Sequence, residues 1–139
     1  MKILLYYIGK PRDPNANALA AEYIKRVQRY ARCEMREIHP ARFDLWAKHP
    51  SATRILLDPD GKRLDSHQFT RLVSKAEQEA RDLVFVIGGA SGYPAGWREK
   101  ADALLSLSAM TLPHELARVM IAEQIYRAFT ILRGHPYSK

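Results

Sequence analysis

Cysteine is almost missing from this chain. Its 139 residues hold one, Cys33, which excludes an internal disulfide and any cysteine-rich zinc site and fits a reducing compartment. Long apolar runs are missing too. The opening run Met1-Lys2-Ile3-Leu4-Leu5-Tyr6-Tyr7-Ile8-Gly9 is too short to span a bilayer and has no small-residue cleavage site behind it, so a cytoplasmic protein is expected. The five histidines, at 39, 49, 67, 114 and 135, show no ligand spacing. His114-Glu115 resembles the start of H-E-x-x-H, but Arg118 stands where the second histidine belongs. No metal is expected. Acidic residues are in deficit, 15 against 22 basic, for a net charge of +7. Such a balance points to an acidic partner, most often nucleic acid, although a soluble surface alone would also explain it. Linkers, repeats and low-complexity tracts are absent. With 47% hydrophobic and 27% charged residues, one folded domain over residues 1–139 is expected.

Strand and helix patterns alternate along the chain. Lys2–Ile8 reads as a buried strand, and residues 34–38 as a weaker one. A helix between them, capped by Asn15 or Asn17 and running to about Arg32, carries Leu19, Tyr23, Val27 and Tyr30 at core spacing. Thr53–Leu57 reads as a third strand, closed by the turn Asp58-Pro59-Asp60-Gly61. Asp65 or Ser66 caps a helix with the stripe Phe69, Leu72, Val73, Ala76 and Ala80. Leu83–Ile87 is the clearest strand. A short helix near Trp97–Ala103, a strand near Leu104–Leu107 and a last helix from Pro113 to before Gly134 complete the pattern. This is an α/β arrangement with a mainly parallel sheet covered by helices. Ligands of such sheets bind in loops at the carboxyl ends of the strands, here after Leu57, Ile87 and Leu107. The last helix is apolar around most of its circumference, which fits a central core helix and a subunit interface equally well.

The turn Gly88-Gly89-Ala90-Ser91-Gly92 fails as a dinucleotide fingerprint, a P-loop and a nucleophile elbow. What remains is a glycine turn after a buried strand, open to the approach of a flat group such as adenine. Ser108–Pro113 is a second loop of small and apolar residues at a helix start, and the two loops together suit an adenosine pocket. Residues 1–40 hold eight basic and four acidic side chains. Lys25, Arg29 and Arg32 line the helix face away from the core, an arrangement that suits phosphate contacts or an ordinary solvated face.

Three segments resemble one family. Val86-Ile87-Gly88-Gly89-Ala90-Ser91-Gly92 is similar to the I-G-G-x-x-G turn of the bacterial ribosomal large-subunit RNA (pseudouridine-N3)-methyltransferases, members of the SPOUT class of trefoil-knotted methyltransferases. Leu105–His114 resembles their S-L-S-x-x-T-L-P-H segment, and Arg118–Tyr137 their R-V-x-x-x-E-x-x-Y-R-A followed by H-P-Y. The resemblance implies a homodimer with a C-terminal trefoil knot. It implies S-adenosylmethionine held by Leu56 or Leu57, Gly88, Gly89 and Ser108, Ala109, Met110, Thr111, Leu112 and Pro113. The substrate would be a pseudouridine in a 23S rRNA stem-loop, within the assembled ribosome. The chain looks shorter than typical members between Pro40 and Thr53, and it ends in Lys139 where some members carry arginine.

Methyl transfer from a sulfonium needs an aligned nucleophile and no metal. N3 of pseudouridine is mostly protonated at neutral pH, so its proton must go somewhere. His135 and Tyr137 are the catalytic candidates. His114 is a weaker one, because the helix dipole disfavours its charged form. Lys25, Arg29, Arg32, Arg118 and Lys139 are candidate RNA contacts, although Arg118 and Arg127 also stand at pairing distance from Glu115 and Glu123 on a helix. The alternatives are a SPOUT enzyme acting on tRNA and a ribosome-binding factor without catalysis.

Overall fold

The computed structural model describes residues 1–138. Its strands are β1 (Lys2–Ile8), β2 (Arg32–Ile38), β3 (Thr53–Arg63), β4 (Leu83–Ile87) and β5 (Ala103–Ser106). Its helices are α1 (Pro14–Val27), α2 (Leu45–Lys48), α3 (Ser66–Gln78), α4 (Trp97–Lys100) and α5 (His114–Leu132). The five strands form one sheet in the order β2-β1-β4-β3-β5, and every pairing is parallel. Lys139 lies outside the described residues.

Both faces of the sheet are covered, and the two-residue period of each strand divides its side chains between them. Ile3, Leu5, Tyr7, Ile55, Leu57, Phe85 and Ile87 face one core with Ile121, Ile125 and Phe129 of α5. Leu4, Tyr6, Leu56, Val84 and Val86 face the other with Leu45 and Trp97. β4 is central and all five of its residues are buried.

Several local expectations give way to the structure. Asp13, rather than Asn15 or Asn17, caps α1, its carboxylate accepting from the amides of Asn15 and Ala16 at 2.9 and 3.1 Å. The helix stops at Val27. Its buried face is Ala16, Ala20, Ile24 and Val27, and Leu19 is 48% exposed. Alanines occupy the inner face where α1 runs against α5, which turns the larger leucine outward. Asp65 caps α3 in a reciprocal box with Gln68, through bonds of 2.7 and 2.8 Å. Ala80 lies beyond α3 and is exposed, with φ of 53°.

The largest departure is at Asp58–Gly61. The expected turn does not end β3, which continues to Arg63. Leu105 of β5 pairs with Leu57 and again with Lys62. The excursion between those two residues therefore passes closely over the β5 backbone. A Cβ on Gly61 would sit 2.6 Å from the carbonyl carbon of Leu104 and 2.7 Å from the amide nitrogen of Leu105. Only glycine fits that crossing.

Candidate cofactor site

At the carboxyl end of the sheet, three chain segments surround one cavity of about 610 Å³. Leu57, Asp58 and Pro59 come from β3, Ile87 to Ala90 and Gly92 from the end of β4 and its turn, and Leu107, Ser108 and Met110 to His114 from the loop that enters α5. Leu105 and Ala117 also line it. The volume lies within the range of small-molecule and cofactor sites.

Tyr93 joins two of these segments. Its hydroxyl oxygen is 2.5 Å from the Leu57 carbonyl and 2.9 Å from that of Val86, and it accepts from the Gly88 amide at 3.0 Å. One phenol therefore ties the end of β3 to the turn after β4. Burial pushes its ionisation well above the ordinary tyrosine range, so it remains a neutral donor. Its ring stacks on Trp97, with centroids 6.3 Å apart.

Packing accounts for Gly89 without any ligand and bears more mildly on Gly88. A Cβ at Gly89 would stand 2.9 Å from the Ile8 carbonyl oxygen, and one at Gly88 would meet the Tyr93 ring at 3.2 Å. The third loop is braced from within. The Ser106 hydroxyl donates to the Ser108 carbonyl at 2.8 Å, and the Ser108 hydroxyl accepts from the Met110 amide at 2.9 Å. On the far wall Arg98 stands 3.3 Å from the buried Asp58 carboxylate and 3.7 Å from Asp60. The site thus has an apolar lining of Leu57, Leu105, Leu107, Leu112 and Pro113, with groups of both charge signs at one side.

Of the residues singled out in the sequence, Leu57, Gly88, Gly89, Ser108, Met110, Thr111, Leu112 and Pro113 line this cavity. Leu56 does not: its side chain points to the opposite face of the sheet, in the second core, one residue out of phase with Leu57. Ala109 is absent from the lining. Lys25, Arg29 and Arg32 are exposed and have no ion-pair partner among the described residues.

Arg118 corrects its expected role. It is 1% exposed, so it offers nothing to a phosphate on this chain's surface. Its guanidinium lies 3.5 Å from the centroid of the Tyr7 ring and donates to the Asn17 side chain, while its Nε has no partner among the described residues. Burial lowers its pKa below the ordinary arginine value. It does not pair with Glu115. That carboxylate instead accepts from the amides of Arg12 and Asp13 at 3.0 and 2.9 Å and from the Asn17 side chain at 2.7 Å. The helical pair Arg127–Glu123 does form, at 2.6 Å.

His135 and Tyr137 are not beside the cavity of their own chain; neither lines it. They follow the far end of α5, whose 19 residues span about 28 Å at 1.5 Å per residue. Gly134, at φ of 71°, reverses the chain there. Its amide donates to Ile131 at 3.3 Å and that of His135 to Thr130 at 2.8 Å, the paired bonds of a Schellman cap. The tail then folds back. The Tyr137 hydroxyl donates to Glu123 at 2.8 Å, and its ring packs edge-on against Tyr126 at 4.7 Å. His135 Nδ1 accepts from the Tyr137 amide at 3.1 Å, so a neutral ring carries its proton on Nε2. The position of Tyr93 at the joint of β3 and β4 was not visible in the sequence, because its partners come from distant segments.

Known proteins place this arrangement. A family model described as "Predicted SPOUT methyltransferase" matches residues 1–138. A protein named "Ribosomal RNA large subunit methyltransferase H" from Solibacter usitatus is 63% identical over 137 residues, covering 99% of each chain. One of the same name from Koribacter versatilis is 39% identical over 142 residues, covering 99% of this chain and 97% of its own. Among solved structures, a probable methylase family protein from Haemophilus influenzae superposes with a TM-score of 0.62 at 11% identity, covering 99% of this chain and 70% of its own, a likeness of fold alone. With its parallel sheet, its cavity at the strand ends and a match along nearly its whole length, the chain belongs to the SPOUT methyltransferase family.

Proposed function

We propose that this chain, as one methyltransferase domain over residues 1–139, transfers a methyl group from S-adenosylmethionine to N3 of a pseudouridine in a 23S rRNA stem-loop at the ribosomal subunit interface. The observation that carries the reading is the meeting of the Leu57, Gly88 and Leu107–Pro113 segments around one cofactor-sized cavity. The names of the full-length relatives support the RNA substrate.

The residues present fit the cofactor. Apolar side chains and backbone suit an adenosine, and the Asp58–Arg98 wall offers both signs to a zwitterionic amino-acid end. When bound, S-adenosylmethionine supplies an electrophilic methyl on a sulfonium. Tyr93 and the two serines fix the walls before binding, so little order remains to be bought on association. Positioning of this kind accounts for up to about 7–11 kcal/mol of a barrier in favourable cases.

The reading includes a homodimer. Leu19 on α1 and Leu116 and Met120 on α5 are 48%, 49% and 40% exposed. Leu116 and Met120 fall on one outward face of α5 by helical spacing. A second copy docked there would bring its own tail to the cavity, which this chain's tail does not reach. His135 Nε2–H is then a donor to a carbonyl of the target base, orienting N3. The crossing of Gly61 over β5 supports the C-terminal knot of the fold.

The test is methyl incorporation from labelled S-adenosylmethionine into ribosomes or free 23S rRNA. The expected product is a methylated pseudouridine. Transfer to RNA carrying uridine at that position, or to tRNA instead, rejects the substrate assignment.

A further inference from the structure

The segment that follows β1 carries two cations outside the α1 row, and it is anchored beside the cavity at both of its ends. β1 ends at Ile8, whose carbonyl oxygen lies against Gly89 so closely that a Cβ would come to 2.9 Å. Four and five residues later the chain is fastened again. The amides of Arg12 and Asp13 and the Asn17 side chain all donate to the Glu115 carboxylate, at 3.0, 2.9 and 2.7 Å. Gly89 and His114, the neighbour of Glu115, both line the cavity. The segment Gly9–Asp13 therefore runs along the cavity rim, pinned at both ends.

Lys10 and Arg12 on that segment are exposed. Neither has a carboxylate in ion-pair range among the described residues, whereas Arg98, the cation in the cavity wall, is already matched by Asp58 and Asp60. Glu115 gives its charge to backbone amides, and those bonds hold its carboxyl below the usual range. It leaves the two side chains free. An acceptor nucleotide entering the cavity must carry its flanking phosphates past this rim.

We propose that Lys10 and Arg12 bind backbone phosphates of the substrate RNA at the cavity mouth, and that Glu115 is the positioning residue that holds their loop in place. This rests on the RNA-methyltransferase reading for its substrate class. Phosphate contact has a signature that mere structural support lacks: each neutralised phosphate adds about 0.7–0.9 to the slope of log affinity against log salt.

The experiment measures retention of 23S rRNA by the full-length protein across a KCl series. Lys10→Ala and Arg12→Ala should each flatten the slope by about 0.7–1 and weaken binding, with S-adenosylmethionine affinity by calorimetry unchanged. Arg71→Ala, which removes an equal charge from exposed α3, should leave the slope unaltered. Glu115→Ala should flatten it, and Glu115→Gln, which keeps one carbonyl acceptor, should restore part of the loss. A slope unchanged in both Lys10→Ala and Arg12→Ala overturns the proposal, whether or not methyl transfer is seen. A flattened slope in a protein that transfers no methyl group upholds the RNA contact and rejects only the reaction.

Discussion

The Tyr93 hydroxyl and the Leu57 carbonyl are 2.5 Å apart, although 36 residues separate them in the chain. That bond, with the Gly88 amide as third partner at 3.0 Å, makes two walls of the cavity one rigid piece.

Tyr93→Phe keeps the ring against Trp97 and removes the oxygen. The Gly88 amide and the Leu57 carbonyl then lose a partner in a half-buried place, a cost of about 1 kcal/mol. Denaturant unfolding should show that loss, and calorimetry should show weaker S-adenosylmethionine binding. Equal stability and equal affinity would mean that the hydroxyl does not organise the site.

Gly61→Ala should be far more damaging than Gly92→Ala. The added methyl at 61 meets the backbone of Leu104 and Leu105 at 2.6–2.7 Å, while at 92 nothing lies within 4 Å, leaving only the strain of a φ of 74°. Overpacking against backbone costs at least about 1–3 kcal/mol, and left-handed strain about 1–2 kcal/mol. Circular dichroism melts of the two variants give the comparison.

Ala80 is the one residue other than glycine with positive φ among the described residues, at 53°. It occupies the left-handed position of a Schellman cap, with the Arg81 amide donating to Ala76 at 2.9 Å. Ala80→Gly relieves that strain and should stabilise the fold by about 1 kcal/mol, net of the entropy gained by the unfolded chain. A lower melting temperature would contradict this.

Leu116→Lys with Met120→Lys should leave a folded monomer by light scattering and abolish methyl transfer, since the tail and the cavity of one chain stand at opposite ends of α5. Activity in a monomeric variant would show that a second copy's tail is not needed.

The sheet was legible in the sequence because its strands are simple. β4 is five apolar residues with both faces covered, and β1 nearly so, which is the pattern of a parallel sheet with helices on each side. The three loops that line the cavity were legible as strand ends. Three features were not. Asp58-Pro59-Asp60-Gly61 has the composition of a turn, and nothing local in it tells that β5 runs beneath. α1 buries its alanines because α5 approaches closely, whereas a reading of large apolar residues favoured Leu19. Arg118 has the spacing to pair with Glu115, but its guanidinium found Tyr7 and Asn17 from distant segments and its expected partner went to the Arg12–Asp13 amides. In each case the deciding contact is tertiary, and periodicity carries no information about it. The His135 and Tyr137 candidates were legible as residue types, and their distance from the cavity of their own chain is set by the length of α5.

The most direct measurement is nucleoside mapping of 23S rRNA after incubation of ribosomes with the protein and labelled S-adenosylmethionine. The label should appear in a single 3-methylpseudouridine and vanish when the target position is uridine. Label in another nucleoside, or none at all from a protein that binds the cofactor, would contradict the account.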